Sequence, residues 1–359
     1  MNAPANETWL MQTADAPIRY QLRHDAADAE ALCRNSEAAA WLSRLAQWSD
    51  AGEIGKIHGS HDYRMENILG KCWSIGLSAH IPLFDEKLQF ILRHLRAHIQ
   101  IKPPDELSFG KLYHYRDDEK VLACFLPLLG YHDDLAVLHI VRKRIDLLYD
   151  FTKQGSYDIY VDGSKFCGVK KAWQPYLINP DLYADGHIAL PDMHDFLLFA
   201  GMYPYLNAED RRKVETAVGW LFGDGYGDII GRYGYFYAPD GSYSTKAIIF
   251  KLQLLDFRDM VFDQGDLVPL LFTVFVLSHF QTARESLWFS LALAYLNQYK
   301  NEQGRYIFPA YMITEKPDCY VIFGGHMNAG ENKKAKLFRE IISTYWMERI
   351  HKNVVKDLQ

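Results

Sequence analysis

The segment Asp134-Leu-Ala-Val-Leu-His-Ile-Val-Arg-Lys-Arg-Ile-Asp-Leu-Leu-Tyr-Asp-Phe-Thr-Lys153, followed by Gly155-Ser-Tyr-Asp-Ile159, decides the fold class. Leu138, Val141, Ile145 and Leu148 fall at i, i+3, i+7 and i+10, while Arg142, Lys143 and Asp146 fall between them. This is the pattern of a helix with one buried stripe and one wet face. The glycine that follows stops the helix and leads into a short extended segment.

The same sentence recurs along the chain. Helices are expected near 37–48, 64–80, 84–98, 119–130, 208–222 and 244–256, with Asn207 and Asp210 as a variant capping box. Thr282-Ala-Arg-Glu285 reads as a standard capping box opening a helix Ala283–Tyr299, and a last helix runs from about Lys333 to His351. Pro191–Tyr203 and Leu267–Phe280 are apolar almost all round and read as buried helices. Gly52, Gly110, Gly155, Gly225 and Gly304 punctuate the chain at the ends of alternate helices. Two helices plus a glycine turn therefore repeat about five times. Alternation of wholly apolar with one-sided helices calls for an all-α architecture in two concentric layers. The expectation is an α/α toroid of about five to six helix pairs with short extended hairpin segments in its loops, an open superhelix being the alternative. Residues 1–34 read as an N-terminal extension packed on the ring, and 35–359 as one toroid domain with a loop insertion at 155–197.

Composition narrows the function. Hydrophobic residues at 49% and charged residues at 23% describe a chain with a sizeable core. A net charge of −6 gives no attraction to phosphate backbones, so no nucleic acid partner is expected. The runs Arg142-Lys143-Arg144 and Lys333-Lys334-Ala335-Lys336 read as solvated helix faces. Five scattered cysteines without a C-x-x-C pair, and a start without an apolar leader, fit a cytoplasmic protein. The longest apolar run contains Pro269 and His279 and is too short for an integral membrane span. The sequence leaves the oligomeric state open.

Tyr160-Val-Asp-Gly, Lys171-Ala-Trp-Gln-Pro, Gly225-Tyr-Gly-Asp-Ile, Gly304-Arg-Tyr-Ile-Phe-Pro and His326-Met-Asn-Ala-Gly-Glu resemble a bacterial prenyltransferase-like group within the terpenoid cyclase and protein prenyltransferase superfamily of α/α toroids. The resemblance spans roughly residues 35–352. It implies an enzyme acting on an apolar, isoprenoid-type small molecule in a central cavity. The Asp-x-Asp-Asp acid of the cyclases has no counterpart; the acidic pairs Asp117-Asp118 and Asp133-Asp134 read as helix-start residues favoured by the dipole. The zinc ligands of the prenyltransferases, Asp-x-Cys and a later His, meet only adjacent Asp318-Cys319 and His326 here. His58-Gly-Ser-His61 lacks both i, i+4 spacing and a neighbouring third ligand. His94 and His98 sit among charges on a wet face, and His279 reads as a core residue. No metal and no cofactor are expected.

The insertion carries the candidate chemistry. If it is extended, Asp158, Tyr160 and Asp162 face one way, and two carboxylates flanking a phenol can bind a sugar hydroxyl or provide an acid beside an ionised partner; a solvated turn at Asp162-Gly163 is the plainer reading. We expect this segment to fold over one mouth of the ring and to bring Trp173 with it. His326, on a glycine-containing loop near Glu331, is a candidate acid or base. Asp158, Asp162 and His326 are thus the catalytic candidates, and Tyr160, Trp173, Tyr237, Trp288, Tyr311 and Tyr320 the candidate ligand-lining aromatics. Two other functions fit the same features: a carbohydrate-active or sugar-binding (α/α) barrel, and a non-catalytic scaffold.

Overall fold

In the computed structural model the described residues are all except 1–4, 52, 53, 55, 101–108, 230–232, 238–240, 242, 247–249, 251, 253–262 and 356–359. The chain is mostly helical with little strand. Its helices are α1 Ala5–Thr13, α2 Ala16–Arg23, α3 Ala26–Arg34, α4 Ser36–Ala51, α5 Met65–Ile75, α6 Pro82–Gln100, α7 Phe109–Ala123, α8 Leu135–Thr152, α9 Met193–Met202, α10 Ala208–Trp220, α11 Gln264–Leu267, α12 Leu270–Leu277, α13 Gln281–Arg284, α14 Leu287–Asn297 and α15 Phe338–Val355.

Two kinds of helix alternate. Every residue of α5, α9 and α12 is buried, whereas α8 and α10 bury one face. The buried kind pack in series with the partly buried α7 and α15: α5 on α7, α7 on α9, α9 on α12 and α12 on α15. The one-sided kind form a second series, α4 on α6, α6 on α8, α8 on α10 and α10 on α13. Midway along the first series the aromatic side chains meet: Trp73 lies 5.9 Å from Phe125, 5.4 Å from Phe275 and 6.0 Å from Trp346, between ring centroids. All four are at most 4% exposed, so this level is packed.

Local chemistry sets the ends. Asp134 caps α8 by accepting from the Ala136 amide, as the pattern predicts, and Asp192 and Asp195 form a reciprocal capping box on α9. Helix α5 stops at Ile75 because Gly76 takes a left-handed φ of 97°. Several expected boundaries move. Asp117-Asp118 lie well inside α7, which runs from Phe109 to Ala123 rather than over 119–130, so they are not helix-start residues; Gly110 is likewise helical. Thr282 and Glu285 do not cap a long helix. The amides of Gln281 and Thr282 are bound by the Glu215 carboxylate from α10, α13 ends after one turn, and Ser286 caps the next helix at Phe289. The run Lys333–Lys336 is exposed but precedes α15. Arg144 is 2% exposed, not on a wet face, because Asp195 binds it from α9. His98 stacks on Tyr115 at 3.6 Å, so it too leaves the wet face expected of it. Of the helix expected at 244–256, residues up to Lys246 form a strand; most of the rest lies outside the described residues.

The insertion contains small sheets. Tyr160–Val161 pairs antiparallel with Leu177–Ile178, which pairs parallel with Gly234–Tyr237 and through it with Tyr243–Lys246. A second hairpin joins Tyr183–Ala184 to His187–Ile188 through Asp185-Gly186, both at positive φ. Residues 193–197 already belong to α9. At the other terminus, α1 packs on α15 and α3 on α4. Among the described residues no helix is long and apolar enough to cross a membrane.

Candidate functional site

Helix α5 is wholly buried yet carries Glu66, Asn67 and Lys71, an arrangement that persists only if each polar group finds partners. Asn67 donates to the carbonyls of Gly59 and His61 and accepts from the Val321 amide. One side chain thereby fixes both the loop 57–64 and the segment 315–328. Lys71 is fully buried; its Nζ lies 2.9 Å from Glu37 and 2.8 Å from Glu315 and donates to the Asn328 carbonyl.

These partners border an open cleft of about 730 Å³ lined by Trp41, Arg44, Asp62, Glu315, His326 and Glu331. The Arg44 guanidinium lies 4.2 Å over the Trp41 ring and 3.4 Å from Asp62. His326 stands edge-on to Trp41 at 5.8 Å, with Nδ1 3.2 Å from Glu315 and Nε2 2.9 Å from the Cys319 carbonyl. Both ring nitrogens are thus engaged, which makes His326 a positioning group for Glu315 rather than a free base. Two carboxyls in this cleft are pushed apart. Burial, reinforced by the Asp15 charge, raises Glu331 to about 7, although its Oε2 accepts from the Asp15 amide at 2.8 Å. Burial alone would also raise Glu315, but Lys71 and His326 outweigh it and hold it at about 2. Near neutrality Glu331 is still partly protonated while Glu315 is ionised, the division of labour that acid catalysis uses.

A second polar cluster joins α7 and α8 to the start of α9 and is sealed. Asp192 binds both Lys120 and Lys246, Lys120 also lies 2.8 Å from Asp117, and Arg144 grips Asp195 through two hydrogen bonds of 2.7 and 2.9 Å. The neighbouring space is about 10 Å³, too small to hold a substrate. Asp118 has no hydrogen-bond partner among the described residues; burial, then the Asp117 charge, raises it to about 6. Next to this cluster Glu66 sits between His58 Nδ1 at 2.6 Å and His194 Nε2 at 3.1 Å.

No family model, no curated protein and no solved structure matches this chain.

The sequence candidates divide. His326 lines the cleft, and Tyr320 stands 5.4 Å from His58 on the segment that borders it. The structure does not bring the others there. Asp158 and Asp162 are exposed, and Asp162 is used as a turn cap for the amide and hydroxyl of Ser164, at 3.1 and 2.6 Å. Tyr160 packs edge-on to Tyr176, and Trp173 stacks on Tyr235 at 4.7 Å under Lys170. Tyr237 donates to the Cys167 carbonyl and Trp288 to the Leu252 carbonyl. Tyr311 lies on the 3-10 turn Ala310–Ile313. Sequence reasoning missed Glu315, Asp62, Trp41 and Arg44. The one signal available was Trp41 and Arg44 at i, i+3, on one face of α4.

Proposed function

We propose that the chain is an α/α-toroid enzyme acting on a hydroxyl-rich, carbohydrate-type substrate in the cleft beside α5. The observation that carries this reading is the pair Glu331 and Glu315 in one cleft of about 730 Å³. Glu331 donates its proton to the leaving oxygen as the C–O bond breaks, the Glu315 carboxylate, held by Lys71 and His326, stabilises the positive charge that develops on the sugar, and a water molecule then forms the new C–O bond and returns its proton to Glu331. Arg44 and Asp62 bind hydroxyls, and Trp41 forms an apolar floor. The ring closure is supported by the two helix series and by the contact of Trp73 in α5 with Trp346 in α15. The packed aromatic level argues for a ligand at an end of the helices rather than along their axis.

A second reading keeps an isoprenoid-type ligand. A cavity of about 800 Å³ at the C-terminal ends of α5 and α12 is lined by Trp73, Phe275, Tyr345, Arg349 and His279, and there Arg349 lies 4.6 Å over the Trp73 ring. Aromatic walls with the cations Arg349 and Lys352, beside Glu7 and Glu348, suit a prenyl diphosphate. An oligosaccharide panel and a prenyl diphosphate panel, each titrated against wild type, Glu331→Gln and Arg349→Ala, separate the two. Oligosaccharide turnover lost only in Glu331→Gln supports the first reading. Prenyl diphosphate binding lost only in Arg349→Ala, with no oligosaccharide bound, replaces it by the second.

A further inference from the structure

His58 from the loop before α5, Glu66 from the first turn of α5 and His194 from the first turn of α9 converge although the last is 128 residues from Glu66 in sequence. One ligand atom of each lies within 4.8 Å of those of the others. Glu66 and His194 are fully buried, while the His58 side chain is 33% exposed, leaving one side of the group open beneath Tyr320.

Two imidazoles hydrogen-bonded to a buried carboxylate would be a sufficient account if every polar atom were satisfied, and one is not. His194 Nδ1 is buried without a hydrogen-bond partner, and Asp192 Oδ1 stands 3.9 Å from it. The bond to Glu66 takes a hydrogen on Nε2 and leaves Nδ1 facing the Asp192 carboxylate without a hydrogen bond to it. A metal on Nε2 reverses this, because the proton then moves to Nδ1 and points at Asp192, the usual support of a ligating histidine. Asp192 is itself pinned by Lys120, Lys246 and the α9 amides. The supporting shell is thus built and only its inner hydrogen bond is long.

We propose that His58, Glu66 and His194 bind one divalent first-row transition metal, with an open coordination position facing Tyr320. Two imidazole nitrogens and one carboxylate are a donor set used for zinc and for iron(II) sites that keep exchangeable positions. Metal–ligand distances of about 2.0–2.2 Å need the His58–Glu66 pair, now 2.6 Å apart, to open by roughly half an ångström. The partly exposed His58 loop is the element that can move. The inference does not rest on the carbohydrate reading, and it concerns a site separate from Glu331 and Glu315.

The test uses the full chain freed of metal by chelation and titrated with Zn(II), Co(II), Mn(II) and, without oxygen, Fe(II), followed by calorimetry. Wild type is expected to bind one equivalent of at least one ion. His58→Ala and His194→Ala should each lose more than the 10–100-fold that a supporting-shell change costs, while His61→Ala is unaffected. A readout on the unmutated protein guards against misfolded variants: long-range proton–nitrogen NMR should show the His194 proton on Nε2 in the apo form and on Nδ1 with Zn(II). Absence of stoichiometric binding for all four ions, or binding that survives both substitutions, overturns the proposal, as does a His194 tautomer unchanged by Zn(II).

Discussion

The cleft at Glu331 and the sealed cluster at Asp192 hold the same kinds of side chain but differ in what is left over. Around Asp192 the charges of Lys120, Lys246, Asp117, Arg144 and Asp195 answer one another in a space of about 10 Å³. Around Glu331 there is a cleft of about 730 Å³, and one carboxyl stays partly protonated at its edge. Buried charge alone therefore does not mark a site; buried charge beside room for a ligand does. The sealed cluster is best understood as holding the C-terminal half of α7, the start of α9 and the end of the Tyr243–Lys246 strand together, the cleft as doing chemistry.

The comparison breaks most visibly at Lys120. Lys120→Met leaves Asp117 and Asp192 facing each other with one cation fewer, and removing one partner of a buried pair costs about 3–5 kcal/mol. Chemical denaturation should register that loss. If stability is unchanged, the cluster is not the structural element described here. Glu331→Gln should do the opposite: a fold at least as stable as wild type, with turnover of an oligosaccharide substrate reduced about a hundredfold or more, the typical contribution of a positioned acid.

Stability against pH sharpens the same contrast. Glu331 is raised from an ordinary 4.5 to about 7, so its contribution to stability is full below about 4.5 and is lost as pH rises through about 7. Glu315 is lowered to about 2, so its contribution is present above about 4.5 and lost as pH falls toward 2. Denaturation midpoints across pH should therefore fall on both sides, and Glu331→Gln should remove the part of the alkaline fall that extends to about 7, leaving the part due to Asp118, raised to about 6, and leaving the acid fall. A smaller effect is expected at Arg44, where Arg44→Met removes a charged donor and should weaken oligosaccharide affinity about tenfold or more. The smallest belongs to the insertion. Asp158→Asn and Asp162→Asn should leave turnover and melting temperature at wild-type values, since both carboxylates face solvent.

How much of this was legible in the sequence follows from what each signal measures. Helical periodicity reports burial, so the alternation of α8 and α10 with α9 and α12 could be read directly. It says nothing of which polar residue inside an apolar stretch has a distant partner. Arg144 looked like one of three solvated cations because its partner Asp195 comes from another helix. Asp117-Asp118 looked like a helix start because α7 begins at Phe109, after a segment without clear periodicity. His326 was found through its glycine loop, and Glu331 through its nearness in sequence. Glu315, eleven residues before His326, and Trp41, nearly three hundred before it, meet them only through the fold. The insertion misled because its Asp and Tyr density resembles a site. Asp162 serves a turn, Asp158 faces solvent, and Tyr160 and Trp173 pack within a small sheet.

Glu331 is the proton-holding carboxyl of the proposed ligand cleft. Carbon-13 NMR of glutamate-labelled protein, titrated with and without a bound oligosaccharide, addresses it directly. The prediction is one carboxyl resonance titrating near 7, absent in Glu331→Gln and displaced when the oligosaccharide binds. A Glu331 resonance that titrates with the ordinary glutamates, together with a ligand that perturbs only side chains around Arg349 at the opposite end, would contradict it.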